Sequence, residues 1–371
     1  MLTGALAPQL SSALSFGVAG LGVAFAIQSG VGAVASIPLG RLVDRLGATR
    51  SIRIAMGMTA MVSFSIALAV RSFAMLVALL TVSALAKRMT EPASNRLLIN
   101  RVDPRRLGLA FGVKQSAPPT AVMIAGMSVP LVAAAWGWRS AYLLAGSFAL
   151  LLIALIRKPR TTSTLPRRQS SGSARTASSG VGRQQRVALI TLTVAFGLAN
   201  GASVTGPAFY VSAAVAAGAS PPTAGSRLAL ASIAAILARL VLGAVADRLV
   251  TGHLGLCASM LLGGSLGFAL LASGDPVLGT VGIVLALAGA WGFSGVFWFT
   301  LVRANPGAPG GITGKVAPGA LIANSLSPLV FGLVADRFSY SAGWAIAASM
   351  AAAAAVAMLI GQRQLVRADT S

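Results

Sequence analysis

The chain has 371 residues and a formal net charge of +22; hydrophobic residues make up 56% of it and charged residues only 10%. With a mean hydropathy of +0.82, it has too few polar residues to cover a globule in water, and a lipid bilayer is the solvent that fits. A single cysteine and a single histidine exclude a disulfide framework and a cluster of His and Cys metal ligands.

The basic residues lie in short segments between apolar runs and do not line one amphipathic face. Basic loops beside apolar runs are typical of membrane proteins, whereas a basic face would favour nucleic acid. We therefore expect the lipid bilayer as a partner and no nucleic-acid partner.

Apolar segments of membrane-spanning length predict eleven helices and an all-α polytopic membrane protein. These spans lie near residues 18–39, 53–70, 73–99, 107–135, 140–156, 187–213, 223–246, 253–273, 276–302, 312–334 and 340–361.

The loop after the first span reads GRLVDRLGATR at residues 40–50, and a weaker copy, GAVADRLVTGH, ends the seventh span at residues 243–253. A loop of Gly, Asp and Arg that recurs once per half resembles the loop between helices 2 and 3 of the major facilitator superfamily. The resemblance implies a fold of two pseudo-symmetric six-helix bundles and transport of a small-molecule substrate by alternating access.

In that family the loop aspartate latches the two halves together in the outward-facing state. A carboxylate at a helix end can bind the N-terminus of another helix and can pair with arginine. The resemblance implies a latch made by Gly40, Asp44, Arg45, Gly47, Arg50, Arg96, Asp247, Arg248 and Arg303. A third look-alike, GLVADRF at residues 332–338, falls on the other membrane face, where we predict a solvated helix end.

The two halves differ in length before their copies of the motif, and the first half lacks most of one helix. We therefore expect about 11 of the 12 transmembrane helices of the family, with the chain beginning inside helix 1. In the alternative interpretation, residues 1–16 form an outside tail.

Loop charges predict the orientation and the domain boundaries. The loops after the first, third, fifth, seventh and ninth spans hold most of the arginines and lysines, which marks that face as cytoplasmic. We predict helix bundles over residues 1–156 and 187–362, a flexible basic linker over 157–186, and a tail over 363–371, with the linker and the C-terminus cytoplasmic. The expected protein is a multi-pass monomer of a bacterial-type plasma (inner) membrane.

The third span carries three charged residues, Lys87, Arg88 and Glu91, near its middle. Charges at that depth are costly unless they face a cavity or partners. Their spacing allows one shared face, and Pro92 frees a backbone carbonyl beside them. The cluster predicts either a substrate site or a structural ion-pair network; as a site, its excess positive charge favours an anionic substrate.

Further predicted substrate-binding residues are Lys114, Gln115, Asn200, Tyr210, Trp291, Trp298 and Asn324. Lys114 can face the cavity or reach the membrane interface, and an aromatic stripe is more often packing than a binding wall. No cofactor or metal is expected. Glu91 is the candidate carrier if the protein couples to protons; otherwise it neutralises its basic neighbours.

We predict a transporter of a small solute, and two alternatives stay open. One is an efflux pump for amphipathic drugs or metabolites, and the other is a sensor that binds a solute without moving it. The chain has no Ser/His/Asp set, no paired carboxylates and no HExxH motif, so we do not expect an enzyme.

Overall fold

A computed structural model describes residues 1–101, 113–156, 183–249, 252–304 and 309–369. In this part of the chain all regular structure is helical. The helices are α1 (Leu2–Ala5), α2 (Ala7–Leu14), α3 (Val18–Leu46), α4 (Ala48–Ala69), α5 (Phe73–Arg101), α6 (Ala117–Ser128), α7 (Trp138–Leu155), α8 (Arg183–Ala216), α9 (Pro221–Arg248), α10 (His253–Ala272), α11 (Pro276–Ala304), α12 (Pro309–Arg337) and α13 (Tyr340–Asp369).

Eleven helical spans, α3 to α13, are long and apolar enough to cross a membrane, within the residues that the structure describes. The span of α6 runs over Val113–Trp136, because short helical segments extend it on both sides of Ala117–Ser128, and we use α6 for this whole span below. The predicted number of spans is confirmed, and the short helices α1 and α2 precede them. The predicted linker, residues 157–186, lies almost wholly outside the described residues.

Two glycines make the tightest turns of the first half. Gly47 separates α3 from α4 and Gly137 precedes α7; both have φ near +78°, which side chains disfavour. We call the membrane face with the Gly47 turn the basic face, because Arg41, Arg45 and Arg50 flank this turn. The face with the Gly137 turn is the opposite face, and successive spans alternate between the two.

The helix α6 is irregular because of proline. Pro130 cannot donate the backbone hydrogen bond that would reach Gly126, and a π-helical turn follows at Val129–Ala133 before a last helical turn, Ala134–Trp136. Such insertions bend a helix.

Helices α1 to α7 form the first half and α8 to α13 the second. Within the first half α5 packs on α3 and α4, and within the second α10 packs on α11 and α13. Between the halves α3 meets α12 and α6 meets α9, which gives two seams related by pseudo-symmetry. The short helix α1 packs on α8 and α6.

Candidate functional site

The charged residues of α5 gather around one carboxylate. Arg88 Nη1 lies 3.7 Å from Glu91 Oε2, and Lys114 of α6 is attracted to Glu91 by a Coulombic interaction. Lys87, one turn before Glu91, has an exposed side chain and interacts with the same carboxylate. The structure therefore brings together Lys87, Arg88, Glu91 and Lys114, three cations around one anion.

Arg88 packs against α3, a helix of its own half. Its Nε lies 3.2 Å from the position that a Cβ on Gly32 of α3 would occupy, and only 18% of its side chain is exposed. The missing side chain of Gly32 leaves a notch on α3, and the arginine stem fills it. This contact lies within the first half and fits the structural interpretation of Arg88, whose role in substrate binding stays a prediction.

Lys87, the neighbour of Arg88 in sequence, points in a different direction. Its side chain is exposed, whereas that of Arg88 is mostly covered.

One polar pair beside this cluster was absent from the prediction. Gln28 Nε2 of α3 donates a hydrogen bond to Ser83 Oγ of α5 at 2.9 Å, and Ser83 lies one turn before Lys87. The signal was present in the sequence, because Gln28 is an amide side chain in the middle of a largely apolar span.

The predicted residues of the second half are mostly packed. Asn200 Nδ2 donates to the Phe196 carbonyl of its own helix at 2.8 Å, and Tyr210 is 2% exposed. Asn324 Oδ1 is buried and has no hydrogen-bond partner among the described residues.

The aromatic residues of α11 pack this helix against α8. Phe196 of α8 stacks on Phe297 with ring centroids 4.6 Å apart, and Trp298 meets Phe196 edge-on at 4.8 Å. Phe293 and Phe297 are essentially buried. The stripe is a packed cluster in the described state, which was the favoured of its two interpretations.

Arg239 of α9 connects three helices. Its Nε and Nη2 donate to the carbonyl of Trp291 in α11 at 3.0 and 2.8 Å, and its Nη2 lies 3.4 Å from Ser294 Oγ. Its Nη1 donates to the backbone carbonyl of Gln115, in the first half. Gln115, a predicted substrate residue, thus contributes its main chain to a contact between the halves.

Glycine pairs close both seams toward the opposite face. A Cβ on Gly22 of α3 would lie 2.5 Å from the Pro328 carbonyl oxygen of α12 and 3.2 Å from Gly332 Cα. In the other seam, a Cβ on Gly126 of α6 would lie 2.6 Å from the Gly225 carbonyl oxygen of α9. Any side chain at these positions would collide with backbone.

At the basic face, the two glycines of the first loop motif have no close neighbours among the described residues. No described atom lies within 4 Å of the Cβ position of Gly40 or Gly47. Asp44, Arg45 and Arg50 are exposed there, and Asp44 makes an interaction with another group. The side chains of the remaining predicted latch residues, Arg96, Asp247, Arg248 and Arg303, lie outside the described residues.

A third aspartate lies at the opposite face, as predicted. Asp336, near the end of α12, places Oδ1 3.1 Å from the Cβ position of Gly17, the N-cap of α3. Its side chain is exposed, but it sits at the positive end of a helix from the other half. The predicted solvated helix end is therefore also a contact between the halves.

Comparison with known proteins gives one family and one fold. The family model described as Major Facilitator Superfamily matches residues 1–317. No curated protein sequence matches the chain.

Solved transporters share its fold at low sequence identity. A variant of the nucleoside transporter NupG has a TM-score of 0.74 at 17% identity, covering 97% of this chain and 96% of its own. A D-xylose–proton symporter has a TM-score of 0.74 at 16% identity, covering 96% and 92%. A bacterial homologue of the human lysosomal transporter Spinster, inward-facing and occupied, has a TM-score of 0.73 at 14% identity, covering 100% and 92%.

Proposed function

Because the chain belongs to the major facilitator superfamily, we propose that it carries a small solute across the membrane by alternating access of its two halves. Family and fold support a multi-pass membrane protein of the transporter class. The observation that carries the proposed mechanism is the pair of glycine contacts. They join the halves toward the opposite face while Gly40, at the basic end of α3, has no described neighbour within 4 Å.

This asymmetry corresponds to one of two states. If the halves rock about the seams, the contacts at Gly22 and Gly126 open as the basic face closes. Glycine suits this movement because backbones meet and part without side chains interlocking. The excess of Arg and Lys on the basic face supports a cytoplasmic orientation of that face, and of the C-terminus, in a bacterial-type plasma membrane.

We propose that the solute carries a negative charge. Glu91 forms its ion pair with Arg88 in the described state, and the exposed side chain of Lys87 lies one turn before it. The support for a negatively charged solute therefore rests on Lys87. Glu91, 56% exposed, is the group that would accept a proton if transport is proton-coupled. Two of the structurally similar transporters are named for nucleosides and for D-xylose. These two substrates are too different to indicate a substrate for this chain.

Uptake into proteoliposomes that contain the full chain tests both parts of the proposal. The panel is a set of radiolabelled small mono- and dicarboxylates, with a neutral sugar and a nucleoside for comparison. We expect uptake of a carboxylate that Lys87→Ala abolishes and that Arg71→Ala, at an exposed position on the opposite face, leaves unchanged. Uptake of the neutral compounds alone would contradict the anionic substrate.

The two alternatives give different results in the same assay. A sensor would bind a carboxylate, measured as a rise in melting temperature, without any uptake. Efflux of amphipathic drugs would need apolar side chains that face the solute, and the aromatic residues Phe293 and Phe297 are instead buried in packing between α8 and α11.

A further inference from the structure

Arg239 is a charged residue inside a span, and its donors bind two backbone carbonyls and one hydroxyl group. Three of its hydrogen bonds stay within the second half, on the Trp291 carbonyl and Ser294 Oγ. The fourth crosses the α6–α9 seam to the Gln115 carbonyl. Its guanidinium also lies 5.8 Å from the Trp291 ring centroid, so the indole supports its position.

The Gln115 carbonyl is available because of a proline. In a regular helix this carbonyl would accept a hydrogen bond from the backbone N–H four residues later. That residue is Pro119, which has no N–H. The carbonyl would remain unsatisfied at this depth in a membrane unless another donor reached it. Arg239 is that donor, and it comes from the other half.

The position of this contact makes it sensitive to rocking. Gln115 lies eleven residues before Gly126, or about 16 Å along the helix toward the basic face. Arg239 lies fourteen residues beyond Gly225, or about 21 Å in the same direction. The glycine contact therefore closes one end of the seam, and the arginine bridges the seam toward the other end. A hydrogen bond tolerates displacements of only a few tenths of an ångström.

We propose that Arg239 is a positioning residue that clamps α9 to α6 in the state that is closed at the opposite face, an inference that rests on the proposed alternating access. The clamp holds the halves at one separation on the basic side of the glycine contact. When the halves rock, the guanidinium must leave the Gln115 carbonyl. Without Arg239 the Gln115 carbonyl has no donor in the described state. The described state is then less stable, and the equilibrium shifts toward the other state.

The test measures the two states directly. Cys257 is the only cysteine and is buried, so Cys257→Ala gives a background for spin labels. Arg71→Cys and Val277→Cys, at exposed positions on the opposite face of different halves, report whether that face is closed. Double electron–electron resonance on the full chain in lipid nanodiscs gives the ratio of long to short distances without any substrate.

We expect Arg239→Ala to raise the ratio of long to short distances at least about tenfold, the effect of losing one charge-assisted hydrogen bond. Arg239→Lys should shift the ratio less than Arg239→Ala, since an ammonium group still donates hydrogen bonds but lacks the planar, forked geometry of the guanidinium.

The matched control is Arg139→Ala. Arg139 also donates to a carbonyl, that of Val70 at 3.3 Å, and stacks on Trp138, but all within the first half. Arg139→Ala should therefore leave the ratio of long to short distances unchanged.

Pro119→Ala gives an independent test that keeps Arg239. The new N–H can satisfy the Gln115 carbonyl within α6, so the clamp should weaken and the ratio should shift in the same direction. Arg239→Ala should then add less in the Pro119→Ala background than alone. Equal effects in both backgrounds would overturn the proposed role of this carbonyl.

One further variant separates failure of this inference from failure of the proposed function. The leucine side chain of Gly126→Leu should collide with Gly225 and open the opposite face. This effect should not depend on the hydrogen bonds of Arg239. If Gly126→Leu shifts the ratio and Arg239→Ala does not, the clamp is refuted and alternating access stands. If neither variant shifts the ratio, alternating access is refuted and the clamp with it.

Discussion

The direction of the Arg88 side chain depends on Gly32, a residue of another helix that has no side chain. Its Nε packs at the Gly32 notch of α3, whereas Lys87, its neighbour in sequence, has an exposed side chain. Adjacent residues on a helix point about 100° apart, so one cation can brace the bundle while the next faces the solute path. Sequence spacing alone cannot separate these roles, because the notch lies on a different helix.

This separation predicts different kinetics for the two cations. Arg88→Ala should leave the KM for the transported carboxylate unchanged and lower stability by about 1 kcal/mol or less, as for a partly exposed ion pair. Lys87→Ala should raise KM by about tenfold or more, since a charge-assisted hydrogen bond to the solute is lost. Initial uptake rates and thermal unfolding measure both effects. Equal increases in KM for Arg88→Ala and Lys87→Ala would show that Arg88 also binds the solute.

At the scale of single helices, α6 was only partly predictable. Its span and its prolines can be read from the sequence, and Pro118 and Pro119 indicate carbonyls without helical donors. The sequence does not indicate which donor satisfies them. The partner of Gln115 is Arg239, 124 residues away in the other half, and only the packing of α6 on α9 brings them together.

The same helix predicts a state-selective substitution. Gly126→Leu should reduce closure of the opposite face and lower the uptake rate, because its Cβ would lie 2.6 Å from the Gly225 carbonyl oxygen. Gly263→Leu is the matched control: it also places leucine in a span, but no described atom lies within 4 Å of its Cβ position. Loss of uptake in both variants at equal expression would indicate a general packing defect and contradict a role for the seam.

Across the whole molecule, three copies of a Gly-x-x-x-Asp-Arg pattern occupy the two faces. Those at Gly40 and Gly243 end spans at the basic face, and that at Gly332 ends α12 at the opposite face. The eleven spans and the sidedness of these motifs followed from hydropathy and loop spacing. The contact of Asp336 with the start of α3 did not, because it depends on how α12 meets α3.

Two of these aspartates should act in opposite directions. Asp336 sits at the N-terminus of α3 in the described state, so Asp336→Asn should favour opening of the opposite face. The family resemblance assigns Asp44 to the state with the basic face closed, so Asp44→Asn should favour the described state. We expect shifts of about two- to fivefold in the spin-label distance ratio, the size of a helix-dipole contact. Shifts in the same direction would contradict this pairing.

The glycine contacts also have an electrical consequence. Where the backbones of α3 and α12, and of α6 and α9, touch at these glycines, no water molecule fits between them. A file of water through a seam would conduct protons and discharge the membrane. In the proposed mechanism these two contacts keep the membrane sealed to protons while the basic face is open. A substitution that separates them should therefore appear first as a proton leak, before any change in solute uptake is measured.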